Sequence, residues 1–194
     1  MRLQAASVVL MDSTVLHHFC RSGMTHHLES YLGDRAHVTE IVDREIRRLQ
    51  DEKGGLEEAV EFLDRVERES RFLYLTDDEA DYADRIIGSP RAQRLELQRK
   101  YGDHADKDLG EASTVAVAWR WDDAVVLVMD DSDGCKWARY DDIPFVKTFA
   151  AAVEIHAAGL MSKADCNDVF KRTADKAYWP EFDQQFEDRL AQLS

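Results

Sequence analysis

The chain has 194 residues, 39 acidic and 25 basic, for a net charge of -14. That length bounds it to one domain, or one domain with an appendage, able to bury a sizeable core. The sign of the charge excludes a protein that grips nucleic acid with its whole surface, but leaves room for local Lys/Arg clusters, for metal ions and for a basic partner. Apolar content of 44% and only three prolines fit an ordered globular protein. Cys20, Cys135 and Cys166 are odd in number and no Cys-x-x-Cys occurs, which argues against a zinc knuckle or a thioredoxin-type site and for reduced thiols. The first apolar run is short and leads into Asp12, unlike a signal peptide. No segment approaches the ~20 apolar residues of a membrane span. A cytoplasmic protein without a membrane partner is expected.

In chain order, residues 7–11 form a continuous apolar, β-branched run that predicts a buried strand. A helix follows with Val15, Leu16 and Phe19 on one face, broken at Ser22-Gly23. His26 to Leu32 predicts a second short helix, and 36–38 a short strand. Residues 40–50 carry Val42, Ile46 and Leu49 at i, i+4 and i+7, a helix. Gly54-Gly55 separates it from a helix over 56–69, and 72–75 is a weak strand. Residues 77–87 read as helix, 91–107 as a polar helix and loop. Then come a helix at 109–121, a strand at 124–129, a short helix near 133–140 and a strand around 143–146. The tail reads as three helices, 148–158, 162–174 and 180–192, with Pro180 suited to a first turn. Strands alternating with helices predict an α/β fold with a central parallel sheet. Ligands of such sheets sit beyond the carboxyl ends of the strands.

Acidic residues fall at those ends. Asp12 closes the first strand, and Asp130 and Asp131 close 124–129. Asp12 is also a candidate helix N-cap, although Ser13 suits that role equally. Glu45 lies about 60° from the centre of its helix's apolar stripe, at the edge of the buried face. Glu40 and Asp43 compete with it, and pairing with Arg44 or Arg48 is the plain alternative. Asp108 and Glu111 form Asp-x-x-Glu ahead of an apolar helix, which matches a capping box. Gly110 between them is unusual for a helix start, since Gly costs roughly 1 kcal/mol against Ala; close approach of another group would explain it. Asp133 crowds the end of the second strand, and one of the three aspartates there is expected to cap the next helix. Two carboxylates ~5 Å apart repel by roughly 3 kcal/mol at an effective dielectric near 20, so a shared cleft would call for a cation, as in a magnesium-dependent nuclease. The histidines lack metal-like spacing and read as surface or boundary residues, with His18 and His104 as secondary candidates for substrate contact.

Four segments together resemble the PIN-domain family of metal-dependent ribonucleases. They are Val9-Leu10-Met11-Asp12-Ser13-Thr14-Val15-Leu16, Val42-Asp43-Arg44-Glu45-Ile46, Asp108-Leu109-Gly110-Glu111-Ala112-Ser113 and Val128-Met129-Asp130-Asp131. The likeness runs over residues 7–175, including His156-Ala157-Ala158-Gly159-Leu160-Met161-Ser162 in the tail. It implies a Rossmann-like three-layer α/β/α sandwich, with 1–160 as the nuclease domain, 91–107 as a polar insertion and 161–194 as a helical extension packed on the same domain. It implies VapC-like toxin ribonuclease activity, with Asp12, Glu45, Glu111 and Asp130 or Asp131 holding Mg2+ or Mn2+. Ser13 or Thr14 would support the first Asp, and Asp108 and Asp133 are further supporting positions. The metal would activate a water and stabilise the charge that develops as an RNA phosphodiester is hydrolysed. The resemblance also implies a small basic antitoxin and a homodimer as partners. Arg91, Arg94, Arg99 and Lys100 are candidates for RNA contact, with a solvated helical face as the alternative.

Two other readings fail on spacing. A response-regulator receiver requires a phospho-acceptor Asp after another strand some forty residues beyond Asp130, where the pattern is helical. A haloacid-dehalogenase-like phosphatase requires a second Asp two residues after Asp12, where Thr14 stands. A PIN-like fold without activity, serving as a binding or scaffold module, is the non-enzymatic alternative.

Overall fold

The computed structural model describes residues 3–88, 109–173 and 182–193. A five-stranded, all-parallel sheet runs in the order β3-β2-β1-β4-β5. The strands are β1 (Val8–Met11), β2 (Ala36–Thr39), β3 (Phe72–Leu73), β4 (Val125–Val128) and β5 (Phe145–Val146). The described helices, numbered in chain order, are α1 (Ser13–Arg21), α2 (Thr25–Leu32), α3 (Glu40–Lys53), α4 (Glu57–Arg68) and α5 (Asp77–Ile86). They continue with α6 (Leu109–Ala118), α7 (Ser132–Tyr140), α8 (Thr148–Ala157), α9 (Lys163–Thr173) and α10 (Phe182–Ala191). None of the described helices is long and apolar enough to cross a membrane.

Helices cover both faces of the sheet, and this explains why β1 and β4 are apolar at every position. Val9, Met11, Val126 and Val128 join one core with Val15, Leu16, Phe19 and Phe62. Val8, Leu10, Val125 and Leu127 join the other with Val115, Val117 and Cys135. The chain builds β1, β2 and β3 outward in one direction, then returns past β1 to lay down β4 and β5 on its other side. Strand order therefore reverses between β1 and β4, which pair in register from Val8↔Val125 to Met11↔Val128. A crevice opens beyond the carboxyl ends of strands where the order reverses.

Local signals set most boundaries. Thr39 caps α3 by accepting the Val42 N–H, and α3 continues to Lys53 because Gly54 supplies the positive φ that ends it. β3 stops at Leu73 because the next residues serve α5: Thr76 and Glu79 close a reciprocal capping box. Helix α6 ends at Ala118 rather than 121, and a 3-10 segment, Trp119–Ala124, delivers the chain to β4. β5 is confined to two residues behind Pro144, which has no N–H to offer a ladder. The polar stretch 91–107 lies outside the described residues. In the tail, Cys166, Val169 and Phe186 join the same core as α1 and α4.

Glu154 links the two ends of the chain. Buried on α8, it accepts the Leu3 N–H at 2.8 Å and pairs with Arg189 on α10 at 3.2 Å. Truncation would strand a buried amide and part of a guanidinium. Glu154→Ala is therefore expected to cost about 2 kcal/mol in urea unfolding. Lys163→Ala, which removes surface pairs to Asp183 and Glu187, should leave the midpoint nearly unmoved.

Candidate functional site

Asp12 is the first residue beyond β1, its N–H held by the Val128 carbonyl at 3.2 Å, and it is fully buried. It is also the N-cap of α1: Oδ1 accepts the Val15 N–H at 2.9 Å. Of the two residues suited to this cap, Asp12 and not Ser13 takes it. Ser13 is buried in the first turn of the helix. Capping occupies only one oxygen. Oδ2 is buried with no hydrogen-bond partner. Burial pushes this carboxyl well above the usual carboxylate range; the Val15 N–H opposes the shift, and Glu111, Asp130 and Glu45 each add to it. The three acids brought from α6, from the end of β4 and from α3 thus act on Asp12 as electrostatic neighbours.

Two glycines allow this convergence. Glu45, half-buried on α3, lays its carboxylate over the first turn of α6; a Cβ at Gly110 would stand 2.8 Å from Glu45 Oε2. The same turn is anchored by hydroxyls. Ser113 and Thr114 both donate to the Gly110 carbonyl at 2.8 Å, and Thr39 lies 2.9 Å from the Ser113 hydroxyl. With the Ser113 proton already committed, Thr39 is the donor of that last bond. At Gly134, a Cβ would meet Glu111 Cβ at 3.1 Å and Met129 Sδ at 3.3 Å, so the first turn of α7 lies directly against Glu111. Helix α6 is buried from Gly110 to Ala118, and Glu111 is its one charged residue.

The acidic crowd after β4 divides its roles. Asp130 turns inward: Oδ2 meets His18 Nδ1 at 3.0 Å, and Oδ1 accepts the Thr148 N–H at 3.0 Å. Burial is the largest single influence on its carboxyl and pushes upward, but the bonds from His18 and Thr148 together outweigh it. The net position is below the ordinary value. Asp131 caps α7, accepting from the Asp133 and Gly134 amides at 2.7 and 3.2 Å. Asp133 pairs with Lys136 at the surface. On the α3 side, Asp43 is bound to Arg47 and Arg48 to Glu52, while Glu40 Oε1 faces the Leu75 N–H at 3.5 Å. Asp12, Glu45, Glu111 and Asp130 are the acids that come together. Asp108, Arg91, Arg94, Arg99, Lys100 and His104 lie outside the described residues.

Sequence reasoning gave His18 a minor place and missed the amide of Thr148, Gly134 and Lys147, whose Nζ is 3.4 Å from the Asp130 carbonyl. None of these carries a local signature, because their roles arise from α1, α7 and α8 meeting at one strand end. Among the described residues, no three His, Cys, Asp or Glu side chains are already arranged to hold a metal ion. The four carboxylates share a field rather than a finished coordination shell. Their chemistry still suits a hard divalent cation, being all oxygen donors with one buried oxygen, Asp12 Oδ2, left without a bond.

Asp12→Asn separates capping from charge, since Asn caps as well as Asp. A raised folded-state pKa means the fold binds more protons than the unfolded chain, so stability is lost as pH rises from the unfolded value through the folded one. In metal-free buffer Asp12→Asn should therefore melt higher than wild type at neutral pH, with the gain vanishing at acid pH. Gly110→Ala meets only the end of a flexible side chain, so stability should stay within about 1 kcal/mol. Any Mn2+-induced rise in melting temperature should shrink as Glu45 is displaced. No family model, no curated protein and no solved structure matches this chain.

Proposed function

We propose that the chain is a Mg2+- or Mn2+-dependent ribonuclease of the PIN-like, Rossmann-type architecture. The observation that carries the proposal is the buried, unbonded Oδ2 of Asp12, set among Glu45, Glu111 and Asp130 at the point where strand order reverses. Asp12, Glu111 and Asp130 would hold the cation, with Glu45 at the partly exposed side of the crevice. A bound divalent ion there supplies an activated water and neutralises charge on a phosphodiester.

The chain's own residues account for the rest. His18 and the Thr148 amide keep Asp130 ionised and fix its orientation. Because burial and its acidic neighbours push the Asp12 carboxyl up, a cation held there would compete with a proton and bind more weakly at low pH. Glu45, half-buried against Gly110, is the carboxylate proposed to accept a proton from the attacking water. The net charge of -14 suits a basic protein partner, and a toxin–antitoxin role, with a homodimer as the working unit, follows from the resemblance. The second reading, a catalytically silent scaffold, is favoured by the unfinished coordination geometry. Stability distinguishes the two, because a live centre is stabilised by Mn2+ and a silent one is not.

The decisive assay is cleavage of total RNA and tRNA with Mn2+, wild type beside Glu111→Gln. Loss of about 10²-fold or more in the variant is expected, in line with removal of one charge-stabilising group. Equal cleavage by both proteins would sink the assignment.

A further inference from the structure

A cleft of about 710 Å³ opens directly beside Asp130, between the β4 and β5 ends and the helices α8 and α10. Its lining includes Arg139, Phe145, Lys147, Phe149 and Arg189. In a chain of net charge -14, three cations around one cleft are not background. Arg189 is engaged by Glu154 and Gln192. Arg139 and Lys147 are exposed and form no ion pair among the described residues, and the guanidinium of Arg139 lies 5.0 Å from the centre of the Phe145 ring. Phe149 packs on Phe170 at 4.8 Å and forms a fixed aromatic floor. Asp188 is the acid on the far side, hydrogen-bonded to Gln184. Lys147 Nζ lies 3.4 Å from the Asp130 carbonyl, and both cations act electrostatically on Cys135, as do Asp12 and Asp130, so they stand next to the carboxylate centre and not on a remote face.

We propose that this cleft is the subsite for the single-stranded RNA segment flanking the bond to be cut, with Lys147 and Arg139 holding consecutive phosphates and the Phe145 ring, under its guanidinium, offering a stacking face to a base. The inference rests on the nuclease reading for its purpose, but on its own residues for binding. A backbone-tracking cation pair beside aromatic faces is how single strands are held without sequence preference. An A-form duplex hides its bases and would leave Phe145 unused. The cations also resolve an electrostatic difficulty, because four clustered carboxylates repel the very strand they would cut. Placing two positive charges beside Asp130 gives the strand an approach on that side.

The test is fluorescence anisotropy of a labelled eight-nucleotide single-stranded RNA binding to the full chain in EDTA, where no cleavage occurs, over a range of salt. Arg139→Ala/Lys147→Ala should weaken binding at least tenfold and make the slope of log K against log salt shallower by about 1.4, two phosphates at roughly 0.7 each. Phe145→Leu should weaken binding several-fold without changing the slope. Both basic side chains are exposed, and unchanged urea midpoints will confirm intact folds. Unaltered affinity in the double variant would overturn the proposal, as would absence of single-strand binding, equal preference for duplex RNA, or capture of an acidic peptide in place of RNA. The two readings fail separately: cleavage insensitive to Glu111→Gln removes the nuclease while leaving the binding result standing, and the reverse outcome removes only the cleft.

Discussion

The carboxylate of Asp12 is shared between two tasks, and the rest of the molecule is arranged around that division. Oδ1 holds the first turn of α1, which sets the direction in which α1 leaves the sheet. Oδ2 has no hydrogen bond, and three more acids act on this carboxylate electrostatically. A buried carboxylate in such a field is unfavourable, and a fold that keeps it withholds stability at neutral pH that a neutral residue would restore. The cation proposed for this site would offset that cost.

The acids reach one another through close packing at two glycines. Helix α6 is apolar or small almost throughout, and it can be buried on every side only because its neighbours approach to backbone distance. Gly110 admits the Glu45 carboxylate from α3, and Gly134 admits α7 against Glu111. The Thr39–Ser113–Gly110 hydroxyl chain then fixes the height of α6 relative to the end of β2. Asp130 is oriented by groups with no capping duty of their own toward it, His18 from α1 and the Thr148 amide at the start of α8. Burial and acidic neighbours push the Asp12 carboxyl up, whereas at Asp130 burial also pushes up but is outweighed by the bonds from His18 and Thr148, so the two carboxyls are displaced in opposite directions. Environments that push neighbouring acids apart in this way divide chemical roles between them.

Much of this was legible in the residues. Continuous apolar runs at 7–11 and 124–129 announced strands, and the helical spacing of Val42, Ile46 and Leu49 announced α3. Asp12 and the Asp130-Asp131 pair were readable as strand-end acids, and the odd placement of Gly110 pointed to a close approach there. Glu111 was ambiguous because a carboxylate near a helix start reads as a cap. Its isolation inside an otherwise uncharged buried helix is what sets it apart. The extents of β3 and β5 were overestimated, since capping of α5 and a proline before β5 outweighed β propensity.

The sequence by itself determined the alternation of elements, the parallel sheet and the set of acids available at strand ends, because those follow from periodicity and turn chemistry over a few residues. Only the tertiary structure decided which acids meet. Asp131 and Asp133 differ from Asp130 by one and three positions, yet the first caps α7, the second points to solvent and only Asp130 faces Asp12. Which way each side chain turns depends on what β1, α6, α7 and α8 bring against it. The cleft beside Asp130 arises in the same way, from residues far apart in the chain that share only a location in space.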